Sequence, residues 1–102
     1  MQRVMLTAGR LGWKVYRNNV GVLTDKRGVP VRYGLCPGSA DLVGWRRIVI
    51  TPEMVGTTIA QFVAMEVKTE RGRLSDEQAR WLAALEADGG HALVVRDPDG
   101  VT

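Results

Sequence analysis

The segment of the chain that most strongly predicts a β-strand is Gln61–Lys68, whose sequence is QFVAMEVK. It is apolar for most of its length, and its two charged residues, Glu66 and Lys68, come only near the end. Alternate residues of a strand lie on one face of a sheet, so Glu66 and Lys68 should emerge side by side. The segment therefore predicts a central strand that ends in a carboxylate and an ammonium group on the same face.

The residues that follow predict a helix and a second strand. Ser75 is a typical N-cap residue, acids fill the next turn, and a glycine pair ends the helix near Ala87. Residues 91–96 then favour a buried strand. A strand, a helix and a strand in this order predict two parallel neighbours joined by a right-handed crossover.

The first half of the chain predicts shorter elements. They are a helix within residues 1–11, a strand at 13–17, an exposed hairpin or long loop over 20–33, a strand at 40–45, its extension or a new strand at 48–50, and a turn or brief helical bend at 51–56. Pro30 confines the second arm of the hairpin to a sheet edge or to no strand at all. The whole pattern predicts an α/β fold, a single domain over residues 1–102 with a central mixed β-sheet flanked by helices.

Composition excludes several classes of protein. The chain has 102 residues, 14 Lys and Arg against 11 Asp and Glu, one Cys and one His. A lone Cys36 and a lone His91 exclude a disulfide framework and a structural zinc site. His91 lies in an apolar stretch, which is more typical of a core histidine than of a catalytic one. The sequence shows no membrane span and no signal-peptide pattern, so we expect a cytoplasmic protein without a membrane partner.

Carboxylates carry the candidate chemistry. Asp41 follows a Pro-Gly-Ser loop at the start of a strand, and together with Glu66 it would offer oxygen ligands to a hard cation such as Mg²⁺. Lys68 would then stabilise charge that develops on a phosphate. The plain alternatives are a surface ion pair for Glu66 and Lys68, and a turn-capping role for Asp41.

An ordered set of motifs resembles a known family. The motifs are Arg17-Asn18-Asn19-x-Gly21, Gly38-Ser39-Ala40-Asp41, Glu66-Val67-Lys68, Gly72-Arg73-Leu74-Ser75-x-x-Gln78 and the closing GGHALVV over 89–95. Together they resemble the PD-(D/E)XK nuclease superfamily, and within it the VRR-NUC domain in its small stand-alone phage form. The resemblance implies a restriction-endonuclease-like core, located in the cytoplasm of a bacterial or phage-infected cell. It also implies a Mg²⁺-dependent endonuclease, for which Mn²⁺ substitutes, acting as a homodimer on branched DNA such as four-way (Holliday) junctions.

The resemblance also implies roles for individual residues. Asp41, Glu66 and the backbone carbonyl of Val67 would bind the metal, Lys68 would be the catalytic lysine, and Gln78 would lie near the active site. For Gln78 a capping box with Ser75 is an equal and compatible interpretation. Many superfamily members carry an acid on the first helix, and residues 1–11 contain none. Either that helix begins further upstream in a longer parent, or Asp41 and Glu66 suffice, which leaves one or two metal ions open.

Nucleic-acid contacts are expected beside these residues. Arg71 and Arg73 lie in the loop directly after Lys68, and three more residues, Arg17, Asn18 and Ser39, belong to the matched motifs. For each single arginine a solvated surface position is the alternative. The alternative functions are a non-catalytic DNA-binding module of the same fold, and a nuclease that acts on flap or linear DNA or on RNA.

Overall fold

The computed structural model describes all 102 residues, and they divide into two compact units, Met1–Arg46 and Arg47–Thr102. Helices, two antiparallel strand pairs and one parallel pair confirm the α/β class with strands of mixed direction. This set of helices and strands is compatible with a restriction-endonuclease-like core. The prediction of one domain over residues 1–102 stays a prediction. Neither α-helix has the length and apolar character that a membrane crossing requires.

The first unit contains one helix and two antiparallel strand pairs. Its elements are helix α1 (Gln2–Arg10), β1 (Lys14–Arg17), β2 (Gly21–Thr24), β3 (Pro30–Tyr33) and β4 (Leu42–Trp45). Strand β1 pairs with β4 so that Arg17 lies opposite Leu42, and β2 pairs with β3 as the predicted hairpin. Ala8 is the buried residue of α1.

The hairpin turn is held by one carboxylate. The backbone N–H of Val29 donates to Asp25 Oδ1 over 2.9 Å, and the backbone N–H of Arg27 donates to the same atom over 2.8 Å. The bond from Val29, helped by the bond from Arg27, holds the pKa of Asp25 below its ordinary value. Pro30 opens β3, where a missing N–H does not interrupt the ladder.

The second unit contains the predicted strand, helix and strand. They are β5 (Val63–Val67), α2 (Asp76–Ala87) and β6 (His91–Val95), and two short 3-10 helices lie at Pro52–Met54 and Pro98–Gly100. Strands β5 and β6 are parallel, with Val67 opposite Val95, as predicted. Leu85 of α2 is fully buried, and a Cβ at Gly90 would collide with its side chain. The missing side chain of Gly90 therefore allows the turn after α2 to close against Leu85.

Two expectations were wrong. Strand β5 pairs only with β6, so it is not the central strand of a hydrogen-bonded ladder, and residues 48–50 form no strand. Val63, Met65 and Val67, which alternate along β5, remain 49, 50 and 74 % exposed. The only α-helix of the second unit packs on β6, and one helix can cover only one face of a strand pair. An apolar sequence alone therefore does not show how many neighbours a strand has.

Candidate active site

Three predicted site residues meet at one carboxylate oxygen in the second unit. Lys68 Nζ lies 3.4 Å from Glu66 Oε1, and Gln78 Nε2 donates to the same Oε1 over 2.9 Å. The Lys68 side chain is 21 % exposed and that of Glu66 is 32 % exposed. The pair is thus partly sheltered from water. In such a setting two charges interact more strongly than on an open surface.

Local sequence rules account for this cluster. The period of two along the strand places Glu66 and Lys68 on one face, as expected. Gln78 occupies the third position of α2, where Ser75 Oγ accepts from its backbone N–H over 3.1 Å. The Gln78 side-chain oxygen accepts from the Ser75 backbone N–H over 2.9 Å, which completes a capping box.

The Gln78 side chain therefore both completes the capping box with Ser75 and contacts Glu66 in the candidate site. Because its oxygen is held by Ser75, its nitrogen is the atom that faces Glu66. The cap fixes the orientation of the amide, and the amide in turn presents an N–H to the carboxylate. Capping and contact with the candidate site are thus coupled through the two ends of one amide group.

The second oxygen of Glu66 and a nearby carbonyl are suited to a hard cation. The contacts of Glu66 with Lys68 and Gln78 both end at Oε1. Phe62 O accepts from His91 N, and Lys68 N donates to Val95 O, so the even-numbered residues of β5 bond to β6. The carbonyl of Val67 then points to the opposite edge, which has no ladder partner. Carboxylate and carbonyl oxygens are ligands that Mg²⁺ accepts along with water.

In the first unit four predicted residues lie together at one end of the β1–β4 ladder. Asp41 is exposed and directly precedes β4, and its carbonyl accepts from the backbone N–H of Asn18 over 2.8 Å. Arg17, the last residue of β1, is exposed beside them, and Ser39 lies two residues before Asp41. No group of three or more His, Cys, Asp or Glu side chains is arranged to hold a metal ion. The convergence of Asp41 and Glu66 on one ion stays a prediction.

The loop before Asp41 contains a tight turn. Ser39 N donates to Cys36 O over 3.0 Å, and Gly38 has a φ of +85°. Proline at the second position and a glycine with positive φ at the third define a type II turn. The sequence Cys36-Pro-Gly-Ser39 therefore sets the path of the chain into Asp41.

Arg96 was not among the predicted site residues. Its side chain binds the backbone of the loop that carries Arg71 and Arg73. Its Nη1 lies 2.7 Å from the carbonyl oxygen of Thr69, 3.2 Å from that of Glu70 and 2.7 Å from that of Gly72. A cationic donor on several carbonyls forms charge-assisted bonds, which are stronger than neutral ones. Its position just after β6, level with Lys68 after β5, is the signal that could have identified it. Arg71 and Arg73 remain exposed.

A pocket of about 590 Å³ opens beside Glu66 and Gln78. Its wall is mostly apolar and includes Phe62, Trp81 and Leu82. The candidate carboxylate therefore borders a concave surface of the size class that small ligands occupy.

A carboxylate near the end of a parallel strand, a lysine just after that strand and arginines in the next loop form an arrangement suited to phosphodiester chemistry. A family model described as the VRR-NUC domain matches residues 29–97. The chain therefore belongs to the VRR-NUC family, and it is a nuclease domain, a hydrolase whose substrate is DNA. No curated protein and no solved structure matches the chain.

Two substitutions at Gln78 separate its two contacts. Gln78→Glu retains an oxygen for the Ser75 N–H and places a second oxygen against Glu66, whereas Gln78→Ala removes both contacts. We expect both variants to lose about 10–100-fold in cleavage rate, as for other groups that orient a metal ligand. Only Gln78→Ala should also lose about 1 kcal/mol in the free energy of unfolding, because only it loses the cap.

Urea unfolding and initial cleavage rates on the same protein preparations test this expectation. Full activity of Gln78→Glu, with a loss in Gln78→Ala that follows its stability, would reduce Gln78 to a capping residue.

Proposed function

We propose that this nuclease domain is a Mg²⁺-dependent endonuclease that hydrolyses phosphodiester bonds in branched DNA as a homodimer. The observation that carries the proposal is the Glu66 cluster, in which Lys68 Nζ and Gln78 Nε2 both contact Oε1. The contacts at Oε1 would orient the carboxylate, and Oε2 would be the oxygen that binds the ion. This is an arrangement that a metal-binding carboxylate requires.

The chain's own residues divide the work at the scissile phosphate. Glu66 Oε2, the carbonyl of Val67 and the carboxylate of Asp41 would hold the ion. When bound there, Mg²⁺ would neutralise phosphate charge and activate the attacking water. Lys68, beside Glu66, adds a positive charge where negative charge develops on the phosphate. Gln78 keeps Glu66 in its orientation through the N–H that the capping box directs toward it.

Basic residues next to each carboxylate would guide the DNA backbone. Arg71 and Arg73 lie three and five positions after Lys68 in the loop that Arg96 holds. Arg17 is exposed at the end of the ladder that carries Asp41. Arginines beside a phosphodiesterase centre neutralise phosphates and thereby fix the register of the substrate. The three arginines are our proposed contacts with the DNA backbone.

Branched DNA and the dimer are supported by the family resemblance and by symmetry. The stand-alone members that the chain resembles act as homodimers, and a two-fold dimer presents two equivalent sites to a four-way junction. Symmetric cuts would follow from that geometry. The alternatives are cleavage of flap or linear DNA or of RNA by the same chemistry, and a domain that binds DNA without cutting it.

The test is a substrate panel with the purified protein. Labelled four-way junction, flap, linear duplex and RNA are incubated with Mg²⁺, with Mn²⁺ and with chelator, and light scattering after size exclusion measures the mass in solution. We expect metal-dependent cleavage that favours the junction, by a dimer. Preference for flap, linear duplex or RNA would replace the proposed substrate, and a monomer would overturn symmetric junction cleavage. DNA binding without cleavage in either metal would leave the non-catalytic module.

A further inference from the structure

Asn18 is the buried polar residue of the first unit, with only 8 % of its surface exposed. It follows β1 directly and faces the loop that leads to Asp41. A buried amide is costly unless its hydrogen-bonding groups are satisfied, so the partners of Asn18 indicate what the residue does.

Each polar group of the Asn18 side chain is bonded to that loop. Its Nδ2 donates to Ser39 Oγ over 2.7 Å and to the carbonyl of Ala40 over 2.9 Å. Its Oδ1 accepts from the backbone N–H of Leu35 over 2.9 Å. Both donors of the amide are used within the protein, which leaves none for a phosphate or a base.

These bonds close the loop on both sides of the type II turn. Leu35 lies before the turn, and Ala40 lies between it and Asp41, so one side chain ties the entry of the loop to its exit. The backbone N–H of Asn18 donates to the carbonyl of Asp41 itself. The backbone from which the Asp41 side chain projects is thus fixed at Asp41 and at the residue before it.

We propose that Asn18 is a positioning residue that sets the backbone of Asp41 for metal binding, and that it does not contact nucleic acid. This inference rests on the proposed role of Asp41 as a metal ligand. It replaces the expectation, drawn from the motif around Arg17, that Asn18 binds DNA. Exposed Arg17 keeps its proposed contact with the backbone of the substrate.

The two alternative roles of Asn18, positioning of Asp41 and contact with nucleic acid, predict different effects on the kinetics. A positioning residue changes the metal concentration that the enzyme requires, whereas a phosphate contact changes the KM for DNA and its salt dependence. Asn18→Asp keeps the shape and the acceptor of the side chain but turns both donors toward Ser39 and Ala40 into acceptors. Ser39→Ala removes one of the two acceptors and offers a milder change in the same contact.

The experiment measures Mn²⁺ binding by calorimetry without DNA, and then cleavage at varied Mg²⁺ and varied DNA. For Asn18→Asp we expect Mn²⁺ affinity to fall about 10–100-fold, as when a group that orients a metal ligand is lost. Excess metal should restore the rate, and the KM for DNA at saturating metal should be unchanged. Ser39→Ala should shift the metal requirement in the same direction by a smaller factor.

Gln61→Ala is the matched control. It removes another amide hydrogen bond, from Gln61 Nε2 to the carbonyl of Gly89, in the second unit. We expect no change in Mn²⁺ affinity for this variant. A shift equal to that of Asn18→Asp would mean that the metal affinity reports general stability, and it would overturn the proposal.

The outcomes separate this inference from the proposed function. A raised KM for DNA at unchanged metal affinity in Asn18→Asp would make Asn18 a nucleic-acid contact. If Asp41→Asn weakens Mn²⁺ binding while Asn18→Asp and Ser39→Ala do not, the positioning role alone fails. If Asp41→Asn binds Mn²⁺ as tightly as wild type, the proposed role of Asp41 fails first. If Asn18→Asp does not fold, the shift in Ser39→Ala decides the matter.

Discussion

Glu66→Gln should lower the rate of DNA cleavage by at least about 10³-fold, because it removes a charge that a metal site and Lys68 both require. The amide preserves the size of the side chain, so the fold should persist. What changes is the ligand charge at Oε2 and the ion pair at Oε1, where Lys68 Nζ lies 3.4 Å away in the wild type. Single-turnover cleavage at saturating Mg²⁺ measures this loss apart from substrate binding.

Two further variants serve as a comparison and a control for Glu66→Gln. Lys68→Ala should cause a loss of similar size, since it removes the other charge of the pair. Glu86→Gln changes an exposed glutamate at the far end of α2 and should cut as wild type does. Retention of more than about a tenth of the wild-type rate by Glu66→Gln would exclude this carboxylate as an essential metal ligand.

Leu85→Ala should cost about 2–5 kcal/mol in the free energy of unfolding, the range for truncating a fully buried leucine. Leu85 is the fully buried large side chain of the structure, and it joins α2 to the turn before β6. Small domains are stable by only about 5–15 kcal/mol, so the variant should melt far below wild type. Because α2 also carries Gln78, cleavage should fall at temperatures where the helix loosens.

Urea unfolding followed by circular dichroism measures the effect. Leu23→Ala is the control, because Leu23 is 67 % exposed in the hairpin and its truncation should cost no more than about 0.5 kcal/mol. A loss below about 1 kcal/mol for Leu85→Ala would show that this leucine does not anchor the core.

Features that depend on local rules were predictable from the sequence. The period of two placed Glu66 and Lys68 together, the Ser75 signal located the start of α2, and the strand, helix, strand order gave the parallel pair β5–β6. These elements are fixed by neighbouring residues, so a short stretch of sequence is sufficient to infer them. The two roles of Gln78, in the cap and near the candidate site, were also predicted as compatible. Its position in the cap determines which end of its amide faces outward.

Features that depend on distant contacts were not predictable. Asn18 was predicted as a nucleic-acid contact from the motif around Arg17, and its burial and its bonds to Leu35, Ser39 and Ala40 arise only in the folded chain. Arg96 acquires its role from carbonyls more than 20 positions earlier in the chain. The apolar composition of β5 likewise did not reveal that one of its faces would remain exposed. In each case the deciding partner lies far away in sequence.

We propose that Asp41 and Glu66 bind one metal ion together, and a calorimetric Mn²⁺ titration of wild type, Asp41→Asn and Glu66→Gln is the decisive experiment. Each substitution alone should weaken Mn²⁺ binding at the same site by more than the roughly 10–100-fold that loss of an orienting group causes. An Asp41→Asn variant that binds Mn²⁺ with the wild-type affinity and stoichiometry would contradict it.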